Sequence, residues 1–513
     1  MSYPYSLLAY TGLVGALVLL VLERISRLHA WRKPTTAFWL TLMTLFWLAL
    51  PPEGRWLFSS WSPSTALGGQ LLLDITPAMW GMGLAVGLAF SGIVWTELGD
   101  SHPPAPLAGV LALLVLLVTW TALAGGSLLT VLVSWAIFDI LWAAAGLLAG
   151  GDGERITLGL SLHGLASLIL WAVALLLGRW GYSTLWWLMR PPDSILVLLL
   201  AAALLRVGIY PAHIVFPRRT GYLSPLFLIS LLGSVLGVGL LARLSALPGI
   251  ESLQPWVLAL GALSLLWGGV RAWSERGASA ISWSVYALLG VIVAGSGEGG
   301  TGEVILAALA VWLAGWTLLQ LSRGREPRRI FWSWAGWLAL LFLLGVPPSP
   351  LGTLFRDGLA RAPWGWRMVL VLGGALTGAT LIRESARPAV GVTSPPWPWQ
   401  HACLFVGLAL PVGGLVGGAL LAPAFSFSWL GLGLWGVTLA FAGGLIWLGQ
   451  PDWQPLKPVL ELLDLQWFYR SLWRGAEHLL SVVRVVAEVV EGSGALLWSL
   501  LVILIGLLVV LNR

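Results

Sequence analysis

Long apolar runs separated by short polar gaps cover nearly the whole chain. About 20 apolar residues in a helix span a bilayer core, so each run predicts a transmembrane helix. About fifteen runs precede residue 450, and one more lies at 494–511. The fifteen are 6–23, 36–51, 77–97, 105–123, 127–148, 156–178, 195–216, 222–245, 255–272, 278–296, 303–322, 330–349, 364–382, 402–423 and 428–449.

The segment between Lys457 and Glu491 has a different pattern. Its charged residues recur at steps of three, four and seven, while Leu, Val and Trp fill the other positions. This periodicity predicts an amphipathic helix along the membrane surface, ahead of the last span. Two roles stay open for it: a surface anchor, or a contact for neighbouring subunits.

Composition narrows the class of protein. Hydrophobic residues make up 58% of the 513 positions and charged residues 10%, whereas a soluble domain carries about 25% charged residues. This excludes a disordered chain, a nucleic-acid-binding domain and an ordinary soluble enzyme. The excess of basic residues, 28 against 22 acidic ones, lies mostly in the gaps between apolar runs.

The sequence offers little for a cofactor or metal. Cys403 is the single cysteine, and the six histidines are scattered, so no metal site is predicted. Gly431, Gly433 and Gly436 spell a G-x-G-x-x-G pattern, but inside an apolar run. A dinucleotide site needs a strand before this motif, so we interpret the glycines as helix-packing positions and predict no cofactor.

The short loops indicate an orientation. If the N-terminus lies outside, the odd-numbered loops carry fifteen Lys and Arg residues and the even-numbered loops six. Positive residues concentrate in cytoplasmic loops. The odd loops are therefore predicted to be cytoplasmic, which places the N-terminus outside.

Two opposite charges stand at membrane depth. Asp139 lies in the middle of the run 127–148, and Arg206 in the middle of 195–216. A charge at the centre of a membrane helix costs about 2.5–3.5 kcal/mol on insertion scales, and pairing lowers that cost. We expect the two side chains to face each other or to share a water.

A proline breaks the helix that carries Arg206. Pro211 follows Arg206, and His213 stands seven residues after Arg206, which is two helical turns on the same face. A broken span with ionisable groups on both sides of the break is typical of a proton path. The alternative is a structural ion pair, a proline kink and a histidine hydrogen-bonded at the interface.

A second broken span is predicted at Gly345, Pro347 and Pro348, with Arg356 beyond it. Two interrupted spans in corresponding halves of a transporter point to a midplane pathway. Asp357 could neutralise Arg356, or both could be loop charges. His163 lies inside the run 156–178, where a packed, hydrogen-bonded histidine is commoner than a relay member.

Four stretches together resemble the antiporter-like membrane subunits of complex I (proton-translocating NADH:quinone oxidoreductase), of Mrp-type cation/proton antiporters and of membrane-bound hydrogenases. They are WAIFDILW, RVGIYPAHIVFP, ERGASAISWSVYALLG and GVPPSPLGTLFR. Asp139 takes the position of the family's glutamate and Arg206 that of its lysine. Arg356 falls one residue beyond a second lysine position. The match covers roughly 105–385, and the tail LELLDLQWFYRSLW resembles the Mrp and hydrogenase branch.

The resemblance implies an all-α polytopic fold with about 14–16 transmembrane helices. Two inverted repeats, each with a broken helix, are expected before a C-terminal amphipathic helix and a final span. The corresponding division is 1–104 for N-terminal helices, 105–245 and 255–385 for the repeats, 402–449 for C-terminal helices and 453–513 for the tail.

For function, the resemblance implies a midplane chain of Lys, His, Glu and water that moves protons or sodium. Such a subunit works beside other membrane subunits in a prokaryotic inner membrane, and holds no NADH, flavin or iron–sulfur site of its own. Arginine does not release its proton in proteins. Arg206 is therefore expected to be a fixed charge, which leaves Asp139, His213 and the Tyr210 hydroxyl as carriers.

The chain departs from the family at its centre. Trp312 and Trp316 stand where the family has a central His and Lys, and Val235 stands near another lysine position. Indoles fill space and exclude water, so a non-conducting structural subunit is the main alternative to an ion translocator. A stand-alone carrier of a small solute or lipid is a third hypothesis, and would need a roomy polar cavity.

Overall fold

The computed structural model describes residues 3–59, 71–99, 105–215, 225–297, 300–321, 329–386, 398–420, 428–449, 457–465 and short stretches between 467 and 481. It contains two compact units, Met1–Pro451 and Asp452–Arg513. The final span at 494–511 and most of the predicted amphipathic segment lie outside the described residues. In the second unit one helix, Lys457–Leu463, has defined bounds.

The first unit is a bundle of helices: each of the fifteen apolar runs contains one, and a further helix, Pro350–Arg361, lies between the runs 330–349 and 364–382. Their bounds are α1 Tyr3–Arg24, α2 Arg32–Ala49, α3 Pro77–Leu98, α4 Ala108–Leu123, α5 Leu128–Leu148, α6 Gly153–Arg179, α7 Asp193–Val207, α8 Pro225–Leu244, α9 Gln254–Ser274, α10 Gly277–Ser296, α11 Thr301–Leu321, α12 Arg329–Leu343, α13 Pro350–Arg361, α14 Trp364–Ala386, α15 Pro398–Leu420 and α16 Trp429–Leu448. Within the described residues, eleven helices are long and apolar enough to cross a membrane. The predicted all-α polytopic class is confirmed.

One element was not predicted. Strands β1 (Gly54–Ser59) and β2 (Leu71–Ile75) pair antiparallel in the connection between α2 and α3. Arg55 lies opposite Asp74, and its Nε is 3.0 Å from Asp74 Oδ1. A single bridge from Leu73 to Gly125 joins this hairpin to the α4–α5 turn, and another from Ser127 to Leu185 joins that turn to the α6–α7 connection.

The order of elements recurs once along the chain. Three helices, a broken helix and a fifth helix occur as α4–α8 and again as α9–α14. An inverted relation between these two groups, and the residue limits given to them, stay predictions.

Each break begins at a glycine with a positive φ. Gly208, directly after α7, has a φ of 77°, and Gly345, after α12, has a φ of 74°. Glycine takes this left-handed conformation readily, and it is the usual end of a helix. Pro211 and Pro348 then stand three residues further on in their respective breaks, so each interruption contains a predicted proline, and the first begins ahead of it, at Gly208.

Backbone groups freed by the breaks are bound by polar side chains. The Tyr210 amide donates to Ser264 Oγ on α9 at 2.9 Å. In the second break, Ser349 Oγ donates to the Phe342 carbonyl at 2.7 Å, and Trp435 Nε1 on α16 donates to the Leu344 carbonyl at 2.9 Å. A peptide group without such a partner is costly away from water, so these contacts stabilise the interruptions.

Candidate functional site

The structure brings Asp139 and Arg206 into direct contact. Asp139 lies in the middle of α5, and Arg206 in the last turn of α7. Arg206 Nη1 is 2.5 Å from Asp139 Oδ1, and the exposed fractions of the two residues are 0% and 6%. An ion pair is therefore enclosed inside the helical bundle.

Aromatic rings surround the other side of the guanidinium. Its carbon lies 4.6 Å from the ring centre of Trp135 and 5.0 Å from that of Phe138, both on α5. Ring faces attract a cation, so one helix supplies both the carboxylate and the rings that hold Arg206. None of the three guanidinium nitrogens of Arg206 makes a hydrogen bond of suitable geometry among the described residues, so its contact with Asp139 is an ion pair.

His163 is the third member of this site. Its Nδ1 lies 3.5 Å from Asp139 Oδ1, and the residue is fully buried. Ser167, one turn further along α6, donates from Oγ to Asp139 Oδ2 at 3.3 Å. The sequence favoured a packed histidine and missed Ser167. The sequence signal for Ser167 was that it lies four residues after His163, on the same helix face, in a span where the pair stands at a depth similar to that of Asp139.

His213 lies in a different environment from the carboxylate. Its ring stacks on Tyr210 at 5.4 Å, and three further rings lie at 5.9–6.4 Å: Trp267 on α9 and Trp283 and Tyr286 on α10. Its Nδ1 donates to the Pro211 carbonyl at 2.9 Å. The expected shared helical face of Arg206 and His213 is wrong, because α7 ends at Val207 and Gly208 turns the chain.

Arg356 follows the second break, on α13. It is buried, and its Nη2 donates to Thr353 Oγ1 on the same helix at 3.3 Å. Gly431 of α16 packs on it: a Cβ there would lie 2.5 Å from the Arg356 carbonyl oxygen, whereas Gly433 and Gly436 face open space. Arg356 thus lies apart from the site formed by Asp139, Arg206 and His163, and has different contacts.

The centre of the bundle is apolar. Trp312 and Trp316, one turn apart on α11, are 7% and 1% exposed. With Leu231 and Ser234 of α8 and residues of α10 they line a cavity that has no ionisable lining residue among those the structure describes. Val235 on α8 is fully buried. Helix α11 therefore presents indoles where the resemblance implied charged groups.

A second cavity lies beside the second break, between α10, α12, α13, α14 and α16. Its lining is mostly Leu, Phe and Trp, with Thr377 and Thr438 as the hydroxyl-bearing residues. Both hydroxyls donate to carbonyls of their own helices. This lining offers a polar solute few groups to bind. In the described part of the chain, no three or more His, Cys, Asp or Glu residues are grouped to hold a metal ion.

Comparison with known proteins relates the fold to membrane complexes. No protein-family model and no curated protein matches the chain. Among solved structures, a chain of the Mrp complex from Dietzia sp. DQ12-45-1b superposes with a TM-score of 0.74 and 18% identity, covering 98% of this chain. This chain spans 62% of that Mrp chain.

Two other solved structures have a similar fold. A chain of the membrane-bound sulfane sulfur reductase, an archaeal respiratory membrane complex, gives a TM-score of 0.69 at 17% identity, covering 99% of this chain and 100% of its own. A chain of respiratory complex I from Thermus thermophilus gives 0.60 at 20% identity, covering 81% and 97%. The resemblance that the motifs carry is thus confirmed as a shared fold with chains of Mrp and respiratory complex I assemblies.

Proposed function

We propose that this chain is an ion-translocating membrane subunit of an Mrp-like or complex I-like assembly. The observation that carries the proposal is the buried contact of Asp139 with both Arg206 and His163. Protons are the ion that this site suits best. A carboxylate and a serine hydroxyl are also oxygen ligands of the kind that hard cations prefer, so sodium is the second ion to test.

The energetic cost of the site supports a role in transport. Replacing a buried ion pair with apolar residues of similar volume is often neutral or stabilising, so stability alone gives little reason for Asp139 and Arg206. Ionisable groups inside membrane segments usually mark ion pathways. The His163 ring adds a second group beside Asp139 that can accept and release a proton.

The geometry suggests a different role for each of Arg206, Asp139 and His163. Arg206 stays protonated and acts as the fixed charge that holds Asp139 ionised. A proton arriving at Asp139 Oδ1 neutralises the carboxylate and weakens its attraction to Arg206. His163 Nδ1, in contact with the same oxygen, accepts that proton, and the carboxylate and its pairing with Arg206 are restored.

A non-conducting structural subunit is the second candidate, and Trp312 and Trp316 favour it. These indoles fill the centre, where a proton chain through the whole subunit would need ionisable groups or water. If ions move, we propose that transfer is confined to the first repeat, on α5, α6 and α7.

The assembly and location follow from the same proposal. The partners are other membrane subunits, in a prokaryotic inner membrane, with the N-terminus of this chain outside. Any electron transfer, including NADH or quinone chemistry, takes place on those partners and not on this chain. Co-purification with redox or antiporter subunits would support this assignment over a stand-alone solute carrier.

The deciding experiment measures proton and sodium flux in membrane vesicles that contain the whole assembly. Asp139→Asn removes the buried charge with little change of shape and should abolish flux. Asp152→Asn is the matched control, because Asp152 is a helix cap whose side chain is 60% exposed. Normal flux with Asp139→Asn would rule out the site, and normal assembly with no flux in the wild type would favour the structural candidate.

A further inference from the structure

Helix α8 receives the His163 ring at a glycine. A Cβ built on Gly233 would lie 2.9 Å from both Cε1 and Nε2 of His163, closer than carbon atoms approach in proteins. The backbone of α8 therefore lies directly against the edge of the ring, and any side chain at this position would occupy the same space.

A second contact on the ring comes from α5. Trp142, one turn after Asp139, contacts the His163 ring at 4.8 Å in a T-shaped arrangement. Trp142 is itself held in place, because its Nε1 donates to the Ser230 carbonyl of α8 at 3.2 Å. His163 thus contacts both an indole that is tied to Ser230 of α8 and a glycine of α8 one turn after Ser230.

We propose that Gly233 is a positioning residue for the buried site: its lack of a side chain lets the His163 ring lie against Asp139. The inference rests on the proposed function, since it assigns Gly233 a part in the same proton transfer. A methyl group at Gly233 meets the end of a side chain that can rotate, so it moves His163 rather than the helix. The Nδ1 to Oδ1 contact of 3.5 Å is then lost or lengthened.

Gly237, one turn along α8, provides a contrast. A Cβ there would lie 2.4 Å from the Val207 backbone nitrogen and 2.8 Å from the Arg206 carbonyl carbon. Backbone atoms cannot rotate away, so Gly237→Ala should disturb the packing of α7 on α8 and lower the yield of folded protein. The same substitution of glycine by alanine should therefore displace His163 at Gly233 and lower the yield of folded protein at Gly237.

The direct test observes the ring itself. The full chain, labelled with 15N-histidine and reconstituted in lipid bilayers, has six histidines, and the His163 signals are those that disappear in His163→Gln. Gly233→Ala should shift the His163 ring signals and leave the other five unchanged. Gly164→Ala is the matched control, because Gly164 is next to His163 on α6 but faces open space. Unchanged His163 signals in Gly233→Ala would overturn the proposal.

The functional test uses flux by the assembly in vesicles. Gly233→Ala should reduce flux by about tenfold or more, since misplacing a reacting group by about 1 Å can cost about 100-fold, and Gly164→Ala should leave it within about twofold. If Asp139→Asn stops flux while Gly233→Ala does not, the positioning role is wrong and the proposed function stands. If the wild type moves no ions, the proposed function fails, and the nitrogen signals still decide the positioning.

A double variant covers the case in which Gly233→Ala does not fold. In a His163→Ala background the ring is gone and the methyl group has room. Adding Gly233→Ala should therefore leave the yield and the melting temperature of His163→Ala unchanged. A further loss in this background would mean that Gly233 acts through some other neighbour, and would overturn the proposal.

Discussion

The first broken helix holds a buried charge, whereas the centre of the bundle is filled by apolar side chains. Beside the first break, Arg206 is enclosed, and Asp139, Trp135 and Phe138 supply an opposite charge and two ring faces. At the centre, α11 carries Trp312 and Trp316, and the adjoining cavity has mostly apolar walls. The buried charge of Arg206 is accompanied by an opposite charge and two ring faces, whereas the centre holds two bulky indoles and no ionisable residue lines its cavity among the described residues.

The largest effect is expected from breaking the ion pair on one side. Arg206→Ala leaves the Asp139 carboxylate buried without its partner, which costs about 3–5 kcal/mol, and flux should be lost as well. The measurement is the melting temperature in detergent together with ion flux in vesicles. Asp139→Asn combined with Arg206→Gln should recover most of the stability and none of the flux. A stable, active Arg206→Ala protein would show that the pair is incidental.

The next effect tests the apolar centre. Trp316→Ala removes a buried indole and should cost about 3–5 kcal/mol. If the indoles close the centre, the passive proton leak of proteoliposomes should also rise. Trp447→Ala is the control, because Trp447 is 86% exposed and should change neither quantity. An unchanged leak would mean that other residues keep protons out of the centre.

The smallest effect is expected at the second break. The Arg356 side chain has one hydrogen bond among the described residues, to Thr353, so Arg356→Gln should cost about 1 kcal/mol and leave flux within about twofold. Arg206→Gln provides the comparison, since it should abolish flux. Equal losses in the two variants would place part of the pathway at the second break and would end the contrast between the two regions.

Much of the fold was visible in the sequence because membrane helices must be long and apolar. Each of the fifteen runs before residue 450 contains a helix, and the breaks include the predicted Pro211 in the first case and the predicted Gly345, Pro347 and Pro348 in the second. Asp139 and Arg206 stood out because charges are costly in apolar runs.

What the sequence did not reveal depends on neutral residues and on contacts between distant segments. Ser167 and Gly233 look like ordinary small residues until α5, α6 and α8 are assembled around His163. The β1–β2 hairpin pairs through backbone groups, and its strands are too short to give a clear periodic pattern. His213 was misplaced because a helical period was extended past Gly208, where the helix ends.

At each of the two breaks, a side chain that binds the backbone comes from a helix that is synthesised later than the break. Tyr210 is bound by Ser264 of α9, and the Leu344 carbonyl by Trp435 of α16, so each interrupted helix is completed by a segment that the ribosome makes later. A chain that enters the membrane from its N-terminus must keep each interruption incomplete until that segment arrives. Nascent chains stopped before α9 or α16 should therefore be the most vulnerable to quality-control proteases.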